Sequence, residues 1–298
     1  MHMRFPRILV LLMAAVVGLG GRRAAAADEA VSNAEISPGV LLFQTSSGNV
    51  IASVGRDGAV LVGTPSAGST AAIAKVLAGR TTSPLRYVVV FPEDPAHSDG
   101  DAGWGRRGAF VAMQEKALER LGGHAMGPPV PLPSRLTALG VDRPRVAFSD
   151  VLTFDVNGDA IHVVHQAPGY SDADAIVHFH TAHLVYLGEV FPGDGYPTID
   201  TNQGGRLSGV LKTLGAWAGG AIHVVPARGD VKTGADVKEF RDMIVTVRDR
   251  VQSLMTAGKT EEQVVEAHAT AEFDGKWGHG RVTPAGFISE LYTAIRAQ

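Results

Sequence analysis

The fold class is decided by residues 87–109, which read YVVVFPEDPAHSDGDAGWGRRGA. The run begins with Tyr87 and three valines, and such a succession of aromatic and β-branched residues predicts a buried strand. Proline, aspartate, histidine and glycine then predict a loop. The chain is predicted to enter a helix near Asp101, because the helix dipole favours a carboxylate in the first turn. A strand that leads through a polar loop into a helix indicates a mixed α/β protein.

The segments on both sides of this run extend the α/β pattern. Residues 39–62 alternate apolar and polar side chains around turns at 47–49 and 56–58, which predicts antiparallel hairpins. Residues 122–145 are rich in glycine and proline and are predicted to form a long surface loop. The other predicted elements are a helix at 69–78, a strand at 86–90, strands at 146–156 and 160–165, a strand pair at 175–187, a helix at 204–217 and a strand at 221–226.

Helices dominate the end of the chain. Residues 236–257 place apolar side chains at three- and four-residue spacing and stop at Gly258, which predicts a long amphipathic helix. A short helix is predicted at 261–267, and a last one at 284–296, capped by Thr283 and begun by Pro284. We therefore predict a main domain at residues 36–235 and C-terminal helices, residues 236–298, packed on the same domain.

The N-terminus has the pattern of a secretory signal. Arg4 and Arg7 precede an apolar run at residues 8–19, and the alanines at 24–27 offer a cleavage site. We predict a signal peptide at residues 1–27 and a periplasmic or secreted mature protein. A retained membrane anchor is the alternative, although the run is shorter than the roughly 20 residues that cross a bilayer.

Composition excludes several classes of partner. A formal charge of −3 and the lack of a dense lysine or arginine run argue against nucleic acid and against an anionic membrane after signal removal. The chain has no cysteine, which excludes disulfides, a thiol nucleophile and thiolate metal ligands. A small molecule or a protein remains as the partner.

Several segments together resemble one known family. The residues that carry the resemblance are the 87–109 run, SSGNVIASVGRDGAVLVG at 46–63, APGYSDADAIVHF at 167–179, LGEVF at 187–191, YPTIDTNQGG at 196–205 and VVPARGDV at 224–231. They are similar to the metallo-β-lactamase superfamily, and the tail resembles that of exported members. The resemblance implies a four-layer αββα sandwich with a C-terminal helical extension. It also implies hydrolysis of amides, esters or thioesters by zinc-activated water.

The resemblance assigns zinc-ligand positions, and most of them lack a zinc ligand here. Where the first zinc of an active member meets three histidines, this chain has Pro92, Asp94 and Tyr170. Proline has no side-chain ligand atom, and a phenol with a pKa near 10 is a poor ligand at neutral pH.

The second zinc position is altered in the same way. Its loop aspartate and histidine correspond to Ala96 and His97, its bridging aspartate to Glu189, and its last histidine to Arg228. A guanidinium is permanently charged and has no lone pair to donate, so it repels a metal cation. We therefore predict that Arg228 pairs with Glu189 and supplies the positive charge in place of the metal.

Five further histidines leave open a relocated metal site: His162, His165, His178, His180 and His183. The 178–180 spacing puts two rings on one face of a strand. The alternative is that they are partly exposed strand residues near a sheet edge.

Three functional hypotheses follow. The first is an exported metallo-β-lactamase-fold protein with a degenerate dinuclear site, serving as a non-catalytic binding or regulatory module with no cofactor expected. Its remnant-site positions are Asp94, His97, Tyr170, Glu189 and Arg228. The second is a hydrolase with one metal, zinc, held by Asp94, His97 and Glu189, or with carboxylates acting as acid and base without metal. The third is an envelope-associated structural protein that keeps its anchor.

Overall fold

The computed structural model describes residues 29, 31–63, 66, 68–91, 104–105, 107–120 and 145–297 of the 298-residue chain. Two twisted sheets lie face to face in this part. The first sheet has its strands in chain order: β1 (Ser32–Ser37), β2 (Val40–Gln44), β3 (Asn49–Gly55), β4 (Gly58–Val62), β5 (Leu85–Val89), β6 (Phe110–Gln114) and β7 (Arg145–Phe148). The pairs from β1 to β4 are antiparallel and those from β4 to β7 are parallel. The β2–β3 and β3–β4 hairpins confirm the prediction from the alternation of residues 39–62.

The second sheet is built from the later half of the chain. Its strands are β8 (Val151–Val156), β9 (Asp159–His165), β10 (Ala175–Phe179), β11 (Leu184–Tyr186), β12 (His223–Val225) and β13 (Lys232–Thr233), in the order β13-β12-β11-β10-β9-β8. Strands β8 to β11 are antiparallel neighbours, whereas β11 and β12 run parallel. This pairing brings the start of β10 and the ends of β11 and β12 to the same end of the sheet, where these strands meet the loops.

Helices cover the outer faces of both sheets. They are α1 (Thr70–Ala78), α2 (Glu115–Arg120), α3 (Leu207–Trp217), α4 (Gly234–Thr256), α5 (Glu261–Glu266), α6 (Asp274–Trp277) and α7 (Pro284–Arg296). One apolar cluster lies between the sheets, a second lies under α1 and α2, and a third joins α3, α4, α5 and α7 to the second sheet. The order helix, sheet, sheet, helix is the predicted αββα sandwich.

The helix starts follow their caps. Thr283 accepts the Gly286 N–H and Pro284 occupies the first turn, as predicted. Helix α4 begins at Gly234, two residues before the predicted start, because Thr233 and Asp236 form a capping box. Among the helices that the structure describes, none combines the length and apolar composition of a membrane span.

The single strand predicted at residues 146–156 is wrong. Ser149 and Asp150 interrupt it, and the chain leaves β7 in the first sheet to begin β8 in the second. Apolar periodicity does not distinguish one long strand from two short ones, since both halves alternate toward the same apolar layer between the sheets.

Candidate functional site

Glu189 and Arg228 are brought together by the ends of two parallel strands. Glu189 lies in a 3-10 turn directly after β11, and Arg228 follows β12. The two connecting loops are hydrogen-bonded to each other: the Ala227 N–H donates to the Phe191 carbonyl at 3.0 Å, and the Arg228 N–H donates to the Pro192 carbonyl at 2.9 Å. Neighbouring parallel strands end on the same side of the sheet, so this register places Glu189 and Arg228 next to each other.

The predicted ion pair between Arg228 and Glu189 is confirmed. Its two parallel bonds join Nη1 to Oε1 at 2.7 Å and Nη2 to Oε2 at 2.8 Å, and Nε donates to Asp194 Oδ2 at 3.0 Å. The Arg228 and Glu189 side chains are only 14% and 17% exposed. Burial opposes the Arg228 charge, but the hydrogen bonds and charges of the two carboxylates outweigh it and raise the pKa of the guanidinium. Arg228 is thus a fixed internal cation, and Asp194 is a second partner that sequence reasoning missed.

Asn49, at the start of β3, holds the turn that carries Arg228. Its side-chain amide donates to the carbonyls of Pro226 at 3.0 Å and Gly229 at 2.8 Å, and its backbone N–H donates to Ala227 at 2.7 Å. Asn49 is buried, so water does not compete for these bonds. The first sheet therefore positions a residue of the second.

The loop before β10 carries Tyr170, and the buried carboxylate of Asp174 organises it. Asp174 accepts the backbone N–H groups of Gly169 at 2.9 Å, Tyr170 at 2.7 Å and Ser171 at 2.8 Å. Burial raises the pKa of Asp174 to about 6, although these hydrogen bonds act in the opposite direction. Asp174 is therefore a buried carboxylate that closes its own loop and fixes the backbone at Tyr170.

Tyr170, Glu189 and Arg228 line one cavity of about 370 Å³, which we call the Arg228 pocket. The other described residues in its wall are Pro192, Asp194, Tyr196, Thr198, Arg281, Val282, Thr283, Gly286 and Glu290. The structure thus brings three of the five remnant-site positions together. The other two, Asp94 and His97, lie outside the described residues, as do Pro92 and Ala96.

Helix α7 supplies a carboxyl that sequence reasoning missed. Glu290 lies in the pocket wall one turn after Gly286, and its Oε2 accepts the Ile199 N–H at 2.8 Å. Burial, and then the charge of Asp200, raise the pKa of Glu290 to about 7 against the effect of that hydrogen bond. The available signal was a glutamate set among the apolar residues of FISEL at 287–291.

Tyr196 fixes α7 beside the pocket. Its ring stacks on Phe287 with centroids 4.8 Å apart and an interplanar angle of 12°, and its hydroxyl donates to Asp274 Oδ1 at 2.8 Å. Burial, and then the acceptor and charge of Asp274, raise the pKa of the phenol. Tyr196 is therefore a neutral donor that ties the pocket wall to the C-terminal helices.

Glu290 predicts a pH dependence of stability. Its pKa is higher in the folded chain than in the unfolded chain, so its contribution is fully present below pH 4.5 and is lost as pH rises through 7. We expect the free energy of unfolding to fall by about 2 kcal/mol over this window, a value reduced for solvent screening because the carboxyl is partly exposed. Glu290→Gln should match the wild type near pH 4.5 and exceed it by about that amount at pH 8 in urea unfolding. Equal slopes in both proteins between pH 4.5 and 7 would contradict this.

The histidine-rich strands do not form a metal site in the described part of the chain, where no three histidine, aspartate or glutamate side chains are placed to hold a metal ion. His178 lies opposite His162 and packs on Trp217, with ring centroids 5.4 Å apart. Burial, and then the charges of His180 and His162, lower its pKa. The predicted partial exposure is confirmed, since His162, His165 and His178 are half-buried and His180 and His183 are exposed. Strand β10 itself is an interior strand, with β9 and β11 on its two sides.

Solved structures of other proteins share this arrangement of sheets and helices. A metallo-β-lactamase from Pontibacter korlensis superposes with a TM-score of 0.58 at 15% identity, covering 72% of this chain and 99% of that one. The chain has the metallo-β-lactamase fold. The stereoselective inverting sec-alkylsulfatase Pisa1 from Pseudomonas sp. gives 0.60 at 16% identity, and its double mutant gives 0.62 at 16%. They cover 88% and 89% of this chain, which spans half of each sulfatase chain. No protein-family model and no curated protein matches the sequence.

The zinc ions that the metallo-β-lactamase fold implies do not fit the described part of this site. Arg228 occupies both carboxylate oxygens of Glu189, so the oxygens that would meet a cation already bind one. A metal arriving there must displace a bidentate pair, and the guanidinium left beside it would repel it.

Proposed function

We propose that this protein is an exported, metal-independent binding module that holds a small molecule in the Arg228 pocket. The observation that carries the proposal is the guanidinium of Arg228 bound to both oxygens of Glu189 in the pocket wall. A cation built into the chain neutralises the carboxylate without any bound ion. The carboxylate wall can therefore stay folded without the metal ions that balance such charges in a hydrolase of this fold.

The proposal is supported by how firmly the wall is built. Asn49 fixes the Arg228 turn, Asp174 closes the Tyr170 loop, and Tyr196 stacks on Phe287 of α7 while its hydroxyl binds Asp274 of α6. Sites held by buried hydrogen bonds are preorganised, which reduces the entropy that binding costs. A cavity of about 370 Å³ is within the range of small-molecule sites.

Metal content and hydrolysis together test the proposal. We expect the exported protein, with its N-terminal sequence read first to locate the signal cut, to contain substoichiometric zinc. We also expect no turnover of ester, thioester, β-lactam or sec-alkyl sulfate substrates, because no metal-bound water is generated. Small-fragment binding at the resonances of Tyr170 and Glu290 should persist in EDTA.

The matched control for this test is His97→Ala, which removes the one histidine kept from the family's loop. It should leave metal content and fragment binding unchanged. Stoichiometric zinc that is lost in His97→Ala would overturn the proposal and favour a single metal held by Asp94, His97 and Glu189.

A second candidate is a metal-free hydrolase, and Glu290 favours it. A carboxyl with a pKa of about 7 in a pocket is suited to general acid–base work at neutral pH. In that case a substrate of the panel turns over in EDTA, and Glu290→Gln abolishes the turnover. Turnover that survives Glu290→Gln would exclude this candidate.

A further inference from the structure

Among the carboxylates in the described part of the pocket wall, Glu290 is the one that forms no ion pair with a described cation. Its Oε2 accepts the Ile199 N–H, and the neighbouring charge that acts on its pKa is that of Asp200, which is also acidic. Glu189 and Asp194, by contrast, both bind Arg228. A partly buried carboxylate without a cation lacks a partner that a ligand can supply.

The described pocket wall also holds more acidic than basic side chains. The described wall holds two arginines, Arg228 and Arg281, against three carboxylates, Glu189, Asp194 and Glu290. Tyr196 adds no charge, since its phenol has a raised pKa and donates to Asp274. The described wall is therefore neutral when Glu290 is protonated and carries one negative charge when it is ionised.

We infer that the Arg228 pocket takes a small molecule with a protonated amine, which binds the carboxylate of Glu290. The inference rests on the proposed function, because it assigns a ligand class to the same pocket. An ammonium group brings three donors, and the hydroxyl of Thr198 in the wall is a further acceptor. A charge-assisted bond of this kind is shorter and stronger than a neutral one.

Titration with n-propylamine, n-propanol and propionate tests the ligand class, because these probes are matched in size. At a pKa of about 7, Glu290 is about 9% ionised at pH 6 and about 91% at pH 8. We expect propylammonium to bind the wild type about tenfold more tightly at pH 8 than at pH 6, and more tightly than either other probe. Binding should also lower the pKa of Glu290, read from its carboxyl ¹³C shift.

Glu290→Gln should weaken amine binding at pH 8 at least tenfold, about as much as protonation does, and remove its pH dependence. Glu272→Gln removes an exposed carboxylate outside the pocket and should behave as the wild type. Equal amine affinity at both pH values, or in Glu290→Gln, overturns the inference, as does the absence of amine binding. If the amine fails one of these tests while propanol or propionate binds the pocket, the inference is overturned but the proposed function stands. Zinc-dependent turnover would overturn the proposed function.

Discussion

Arg228→Met is expected to lower the free energy of unfolding by about 3 kcal/mol, because it removes two charge-assisted hydrogen bonds from the largely buried carboxylate of Glu189. Methionine keeps much of the side-chain volume, so the loss reports the charge and the hydrogen bonds rather than a cavity. Asp194 loses its bond to Arg228 Nε as well, but it is more exposed and water compensates it better. Urea unfolding at pH 7 measures the change.

Two further variants test whether burial of the ion pair causes the loss of stability. Adding Glu189→Gln to Arg228→Met should recover most of the lost stability, since the buried carboxylate that faced the guanidinium is then neutral as well. Lys238→Met breaks an ion pair with Asp242 on the exposed face of α4, with side chains 64% and 49% exposed, and should cost no more than about 0.5 kcal/mol. A loss below about 1 kcal/mol for Arg228→Met would mean that water reaches the pair freely.

Gly209→Ala is expected to cost at least about 4 kcal/mol. A Cβ at Gly209 would lie 1.6 Å from the Pro168 carbonyl oxygen, which is backbone and cannot rotate away. Helix α3 must then move off the loop that carries Tyr170, so the Arg228 pocket loses one wall. Thermal unfolding reports the stability loss, and the Tyr170 resonances report the displaced loop.

The matched control lies in the same helix. Among the described residues, a Cβ at Gly215 meets only Arg241 Nε at 3.5 Å, which is an ordinary contact. Gly215→Ala should therefore stabilise the protein by about 0.5–1 kcal/mol through the lower entropy of the unfolded chain. Two glycines of one helix thus predict opposite signs, and equal effects would refute the close approach as the cause.

Local patterns predicted the elements well where local forces set them. The alternation at residues 39–62 and the capping pair Thr283 and Pro284 both formed as expected, since turn and cap chemistry act over a few residues. The break at Ser149 was missed because the exchange of strands between sheets depends on long-range pairing. The pocket was missed in part for the same reason, as Glu290 reaches Ile199 across 91 residues.

The sequence by itself determined the mixed α/β pattern and the opposite charges of Arg228 and Glu189, because periodicity and charge sign are properties of the residues. The αββα sandwich and the altered ligand positions were implied by the resemblance that several segments carry together. Only the tertiary structure decided that this pair shares a pocket wall with Tyr170 and Glu290. That outcome depends on the parallel register of β11 and β12 and on the docking of α7. Burial there, which no linear pattern specifies, raises the pKa of the Glu290 carboxyl to about 7.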